Sequence, residues 1–188
     1  MTNRSEELAR EFEKANDELI ALVERLDERQ WQAVCAEGWT VAQAACHIAD
    51  DHAVLAGFVR LIAEGEPFPD FDAEAVHQIN ADQVARNADC TTEYVMQLLR
   101  SSGAGAAAMI RGFTDAQLDS AVSLPAPHAF RVMDNLPERL MASHAIEGGL
   151  IGHFREHGWS ILSAAYPALS ADIECHDAER VQSSPKPA

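Results

Sequence analysis

Apolar residues recur along this chain with the period of an α-helix, and the alternating pattern of strands is nearly absent. In residues 5–27, Leu8, Phe12, Leu19, Leu22, Val23 and Leu26 fall at spacings that put them on one helical face. Ser5 followed by Glu6 and Glu7 gives an acidic first turn, which suits the positive end of the helix dipole. A second helix is expected over 40–64, with Thr40 as N-cap and Gln43 three residues on as its capping-box partner. Gly65, Pro67 and Pro69 end it. Further helices are expected over 73–88 and over 92–112, the latter capped by Thr91 or Thr92. The SSGAGAAA stretch inside it predicts a break, since Gly103 and Gly105 each cost about 1 kcal/mol relative to Ala. Residues 113–134, with Pro125 and Pro127, read as an irregular connection. Asn135 is then expected to cap a last long helix, with Pro137 in its first turn, reaching about Ala165 before Pro167.

Four long helices joined by two substantial connections predict an all-α fold, a four-helix bundle with crossover connections. Residues 1–168 would form the bundle. Residues 169–188, ending in QSSPKPA, would be a C-terminal appendage and a disordered tail. LDERQWQAV (26–34) and FTDAQLDSAV (113–122) echo one another, each after a long helix and before one bearing His. So short an echo fits internal duplication and coincidence equally.

Composition narrows the partners. The 188 residues, 47% hydrophobic and 23% charged, are enough for one domain with a sizeable core. With 14 Lys plus Arg against 30 Asp plus Glu the net charge is −16, which argues against nucleic acid and anionic membrane surfaces as partners. No run approaches the roughly 20 apolar residues of a membrane span. The opening MTNRSEELAREFEK has no signal-like apolar segment, so a cytoplasmic location is expected. Cys35, Cys46, Cys90 and Cys175 show no metal or redox spacing and read as reduced packing residues.

The eight His carry the candidate chemistry. His153-Phe-Arg-Glu-His157 places two imidazoles one turn apart, about 6 Å along the axis, where they can converge on one metal ion. On pattern alone, a surface or core pair fits as well. His47, in GWTVAQAACHIADDH, flanks the apolar stripe of its helix; a metal ligand and a hydrogen-bonded boundary His both fit. Asp51, one turn on, reads either as a carboxylate orienting His47 or as a helix-surface acid. His144, nine residues before His153, is expected on the opposite side of the last helix, and Glu147 near the centre of its apolar stripe. His77, His128 and His176 read as solvent residues. Glu74-Ala-Val-His77 is the single Glu-x-x-His, so a ferritin-like di-iron site fails. Phosphate-loop, nucleophile-elbow and Cys/His nucleophile patterns are absent from the sequence.

GWTVAQAACHIA resembles the second-helix motif of the DinB/YfiT-like family, in which a capped helix after Gly-Trp-Thr carries the first metal His. GHFREHGWSIL is similar to the final-helix motif of that family, where a His-x-x-x-His pair supplies the other two ligands. His157-Gly158-Trp159 followed by Ile161 also resembles the mycothiol-dependent maleylpyruvate isomerase branch, whose N-terminal domain has this fold. The resemblance spans residues 5–165. It implies that His47, His153 and His157 form a metal triad for Zn²⁺ or Ni²⁺, with an open position for water or a thiolate, and that the chain forms a homodimer. The chain departs from many relatives in having Gly-Trp-Ser after His157 where they carry Arg-Gly-Gln. It departs from the isomerase branch in having His153 where Glu is common. Two functions follow from the resemblance. One is a thiol-dependent transferase or isomerase using a low-molecular-weight thiol such as mycothiol or bacillithiol, or a hydrolase using water. The other is a non-catalytic metal-binding or stress-associated bundle, in which Asp51 or His52 closes the coordination sphere as a fourth ligand.

Overall fold

A computed structural model describes residues 3–70, 72–124 and 137–168. Four long helices dominate it: α1 (Arg4–Val23), α3 (Val41–Glu64), α5 (Thr92–Arg111) and a composite last helix, α7. Helix α7 is α-helical over Ala142–His144, π-helical over Ala145–Gly152 and α-helical again over His153–Ala165. Between the long helices lie the one-turn α2 (Glu28–Trp31) and α6 (Asp115–Leu118), the longer α4 (Ala73–Arg86), and an antiparallel ribbon of β1 (Ala121–Ser123) and β2 (Arg139–Met141), with Val122 opposite Leu140. The chain is thus an all-α four-helix bundle carrying a small ribbon.

Each long helix packs on two others: α1 on α5 and α7, and α3 on α5 and α7. Helices α1 and α3, and likewise α5 and α7, therefore lie on diagonals although each pair is consecutive among the long helices, which is the crossover arrangement, while α3 and α5 are neighbours. Arg111, at the end of α5, bonds Glu6 and Glu13 near the start of α1, so these two run antiparallel. Cys90, just before α5, donates to the Ala42 carbonyl near the start of α3, and Ser102 further on meets His52, so α3 and α5 run parallel. Phe12 packs on Phe154, and Arg4 reaches Ser143, which makes α1 and α7 parallel. Two parallel neighbours cannot be joined by a tight turn; residues 65–91, with α4 lying against α3, make the return.

The core is the apolar stripes meeting: Phe12, Ile48, Leu99, Ile110, Phe154 and Ile161 are fully buried. Each such side chain contributes about 1.5–3 kcal/mol by leaving water. The caps are where the sequence puts them. Thr40 and Gln43 form a reciprocal capping box, and Gly65 takes φ of 69° at the end of α3. Helices α2 and α6, which open the two echoing segments, carry matching capping boxes on Asp27/Gln30 and Thr114/Gln117.

Two expectations are corrected. Helix α5 runs unbroken through SSGAGAAA. Gly103 sits where α1 comes closest: a Cβ there would lie 2.4 Å from Asn16 Nδ2, and that amide donates to the Leu99 carbonyl of α5 at 3.3 Å. Close helix contact offsets the propensity cost of the glycine. The last helix begins at Ala142 and not at 135, because residues 139–141 pair with β1. The Asn135 cap, Pro125 and Pro127, His128, His176, Cys175 and the proposed tail 169–188 lie outside the described residues.

Candidate metal centre

The loop before α3 builds one wall of the site. Cys35 N–H donates to the Trp39 carbonyl and Val41 N–H to that of Ala33, closing a tight turn in which Gly38 takes φ of 86°. That left-handed conformation is open to glycine at no steric cost. The turn presents Trp39, whose ring stacks on His157 (centroids 6.1 Å, 13° between planes) and meets His47 edge-on at 4.9 Å. Thr40 then starts α3, and two turns in stands His47, only 2% exposed.

His47, His153 and His157 come together from α3 and α7. One ring nitrogen from each lies within 4.8 Å of the others, a spacing that can hold a metal ion. Helical geometry makes His153 and His157 neighbours, with centroids 4.6 Å apart, and the antiparallel packing of α7 on α3 brings His47 to 5.5 Å and 5.2 Å from them.

The protonation pattern of His47 follows from its neighbours. Gln83, the single buried residue of α4, places Oε1 2.9 Å from His47 Nδ1, while its amide donates to Asp51 Oδ1 at 2.9 Å. With the amide oriented by the carboxylate, its oxygen faces the imidazole and Nδ1 must carry the proton. In the neutral ring this leaves the lone pair on Nε2, which faces Asp51 Oδ2 at 3.3 Å; His153 Nε2 lies 3.8 Å from the same oxygen. Asp51 therefore stands beside the converging nitrogens, and Gln83 occupies the far side of His47. His157 is held from the other edge: its Nδ1 lies 3.4 Å from Glu37 Oε1, and Glu37 accepts from the Ser160 hydroxyl at 2.6 Å.

Electrostatics favour neutral imidazoles at His153 and His157. Burial, then the neighbouring His157 and His47, push His153 down to about 3. Burial and His47 also lower His157. Burial raises the Asp51 carboxyl above its usual range, although His47 and Gln83 pull it the other way. For Glu37, burial would raise the carboxyl, but the Ser160 hydroxyl, the local backbone and His157 outweigh it and leave it below the usual range. Uncharged imidazoles beside a carboxylate are the donor set that binds a borderline cation. Three ring nitrogens converging within 4.8 Å, with His153 Nδ1 buried and lacking a hydrogen-bond partner among the described residues, fit a cation between the rings.

The other His separate from this cluster. His52 points into the core, its ring 4.2 Å from that of Phe154 and its Nδ1 bonded to Ser102 Oγ, so it is not placed to be a fourth ligand. His77 is exposed. His144 and Glu147 correct the helical-wheel expectation. His144 lines the same cavity as His153, and Glu147 is exposed, close enough to Arg4 to favour its charge. At α winding, about 100° per residue, nine residues end on the opposite side of a helix. The wider turn of the π segment takes more residues, so the same nine come to about two full turns. Sequence reasoning missed Gln83 and Glu37. The first sits in a helix without an inward apolar face, and the second adjoins the Gly-Trp-Thr motif, where its nearness was a usable signal.

A capped helix carrying one buried His, facing a final helix with a His pair in an all-α bundle, defines a class of potential metal-site proteins. The profile of the family described as Mycothiol maleylpyruvate isomerase N-terminal domain matches residues 12–138, and the chain belongs to that family. Its fold is similar to a mycothiol-dependent maleylpyruvate isomerase (16% identity, TM-score 0.63, 86% of this chain and 63% of that one). It is also similar to YfiT from Bacillus subtilis, described as a probable metal-dependent hydrolase with an unusual four-helix bundle topology (20% identity, TM-score 0.66, 89% and 90%). An uncharacterised protein from Clostridium difficile 630 shares the fold at 13% identity and TM-score 0.61, covering 86% and 95%. The chain spans less than two thirds of the isomerase's length. No curated protein matches the sequence.

Proposed function

We propose that this chain is a metal-dependent enzyme in which His47, His153 and His157 hold one divalent transition ion, Zn²⁺ or Ni²⁺. The carrying observation is the convergence of three ring nitrogens within 4.8 Å at the end of a cavity. A divalent ion held by three His supplies a Lewis acid that brings a coordinated thiol or water towards ionisation at neutral pH. The chain's own residues do the rest. Gln83 fixes His47 with Nε2 free, Glu37 orients His157, and Trp39 excludes water from one side. Asp51 Oδ2 is placed to accept a proton from a thiol or water beside His47. The reaction class is a transferase or isomerase using a low-molecular-weight thiol, or a hydrolase using water. The family match and the isomerase likeness favour the thiol, and the YfiT likeness favours water. The reading also takes the bundle over 1–168 as the working unit, 169–188 as an appendage, and a cytoplasmic homodimer as the assembled form.

The 3.3 Å approach of Asp51 to His47 Nε2 supports one other reading, in which the carboxylate closes the site as a fourth ligand and the ion only ties α3 to α7. Metal content of untagged protein decides the first point: about one ion per chain in the wild type and strong loss in His153→Ala. Wild-type protein free of metal and indifferent to chelator would end the proposal. Thiol-dependent turnover of an electrophile panel, abolished in His47→Ala, marks the catalytic form; turnover that survives that change places the chemistry elsewhere.

A further inference from the structure

The triad sits at one end of a cavity of about 720 Å³ that continues between α3 and α7. Along α3 its wall is Leu55, Phe58, Val59 and Ile62, reaching three turns beyond Asp51, roughly 16 Å at 1.5 Å per residue. The facing wall, on the π segment of α7, is Gly148, Gly149 and Gly152. A Cβ added at Gly148 or Gly149 would meet no atom of the described residues within 4 Å. Among the described residues, no close approach requires these glycines, and the space beside them is open. From α4, Val76 and Asn80 complete the sides.

Charge along this slot is one-sided. Beyond the triad its described lining includes the carboxylates Asp51 and Glu156, the imidazole of His144 at the start of α7, and no Lys or Arg, so at pH 8 it offers no permanent cation. A carboxylate seated against Leu55 and Phe58 would lose hydration without gaining a cationic partner, which is expensive. An alkyl or aryl group there gains contact with both walls and exposes no unpaired charge.

We propose that the slot binds the non-reacting arm of an elongated, uncharged, apolar substrate whose reacting end lies at the triad, and that it selects against polycarboxylates. This deepens the metal-dependent reading above and rests on it for the position of the reacting end.

The test uses N-phenyl-1-naphthylamine, an uncharged aromatic fluorophore, with the purified full chain at pH 8, before and after chelation. Saturable binding is expected in both states. Octan-1-ol should displace the fluorophore at concentrations at least about tenfold lower than octanedioate, whose second carboxylate falls against the apolar stretch. Gly149→Leu should weaken binding at least about tenfold while metal content and melting temperature stay near wild type, and Gly148→Leu is the second variant should the first fold poorly. No binding by the wild type, equal competition by octanedioate, or undiminished binding in both variants overturns the proposal. Binding in the slot by protein that carries no metal as purified and takes none up on addition of Zn²⁺ or Ni²⁺ supports the slot and sinks the metal reading. A metal-loaded protein that fails to bind the fluorophore does the reverse.

Discussion

At the scale of single residues, the proposed metal site depends on groups that are not ligands. Gln83 sets the tautomer of His47 by accepting from Nδ1 and donating to Asp51. Replacing it by leucine keeps the volume and removes the restraint. Gln83→Leu is expected to weaken metal affinity by about 10–100-fold, read by competition against a chromogenic chelator; an unchanged affinity would remove Gln83 from the site. His52 shows the opposite case, a histidine serving the core. Ser102 donates its hydroxyl proton to the Leu98 carbonyl at 2.7 Å, so it accepts from His52 Nδ1 and leaves Nε2 unpartnered among Phe12 and Phe154. Burial pushes His52 down to about 4 from an ordinary 6.5. The unfolded chain takes up that proton first, so stability present above pH 6.5 is lost as pH falls towards 4, by on the order of 3 kcal/mol for this group. In metal-free protein, His52→Phe should therefore lose less melting temperature between pH 7 and pH 4.5 than wild type. Parallel slopes would mean that His52 does not titrate in the core.

At the scale of elements, what was legible in the sequence is what local chemistry decides. Thr40 with Gln43, Gly65 after α3, and the four-residue spacing of His153 and His157 are short-range facts, and the structure keeps each of them. The π winding of Ala145–Gly152 and the three-residue strands were not legible, because the first shows no period of its own and the second are stabilised by a partner distant in sequence. Helix α5 shows the same division inside one element. Gly103 and Gly105 look alike in SSGAGAAA, yet Gly103 is buried against Asn16 and Gly105 is exposed with nothing within 4 Å of a Cβ. Gly103→Ala should destabilise by about 1–3 kcal/mol through overpacking, whereas Gly105→Ala should stabilise by about 0.5–1 kcal/mol through helix propensity. Urea denaturation of the two variants reads both, and shifts of the same sign would contradict the packing argument.

Across the whole molecule, the triad joins position 47 to positions 153 and 157, so an ion there fastens the first half of the chain to its last helix. Binding to the folded state alone adds about 2.7 kcal/mol at a free-metal concentration of 100 times Kd. For a chain of this size that corresponds to a rise of roughly 5–10 °C in Tm. Chelation should lower the wild-type Tm by that amount and leave His153→Ala unmoved; equal responses would show that the ion binds elsewhere. The net charge of −16 has a local counterpart in the slot, whose described formal charges are both negative.

Because Ala145–Gly152 winds with i→i+5 bonding, the chain carries there about one residue more than an α-helix of the same length needs. A one-residue deletion is consequently absorbed more readily there than in an ordinary α-helix. Deleting one of its glycines lets the stretch relax to α geometry while the elements on either side keep roughly their present orientation, since the surplus residue is the one removed. In descent, a relative one residue shorter at this point would keep both histidines of the last helix in place.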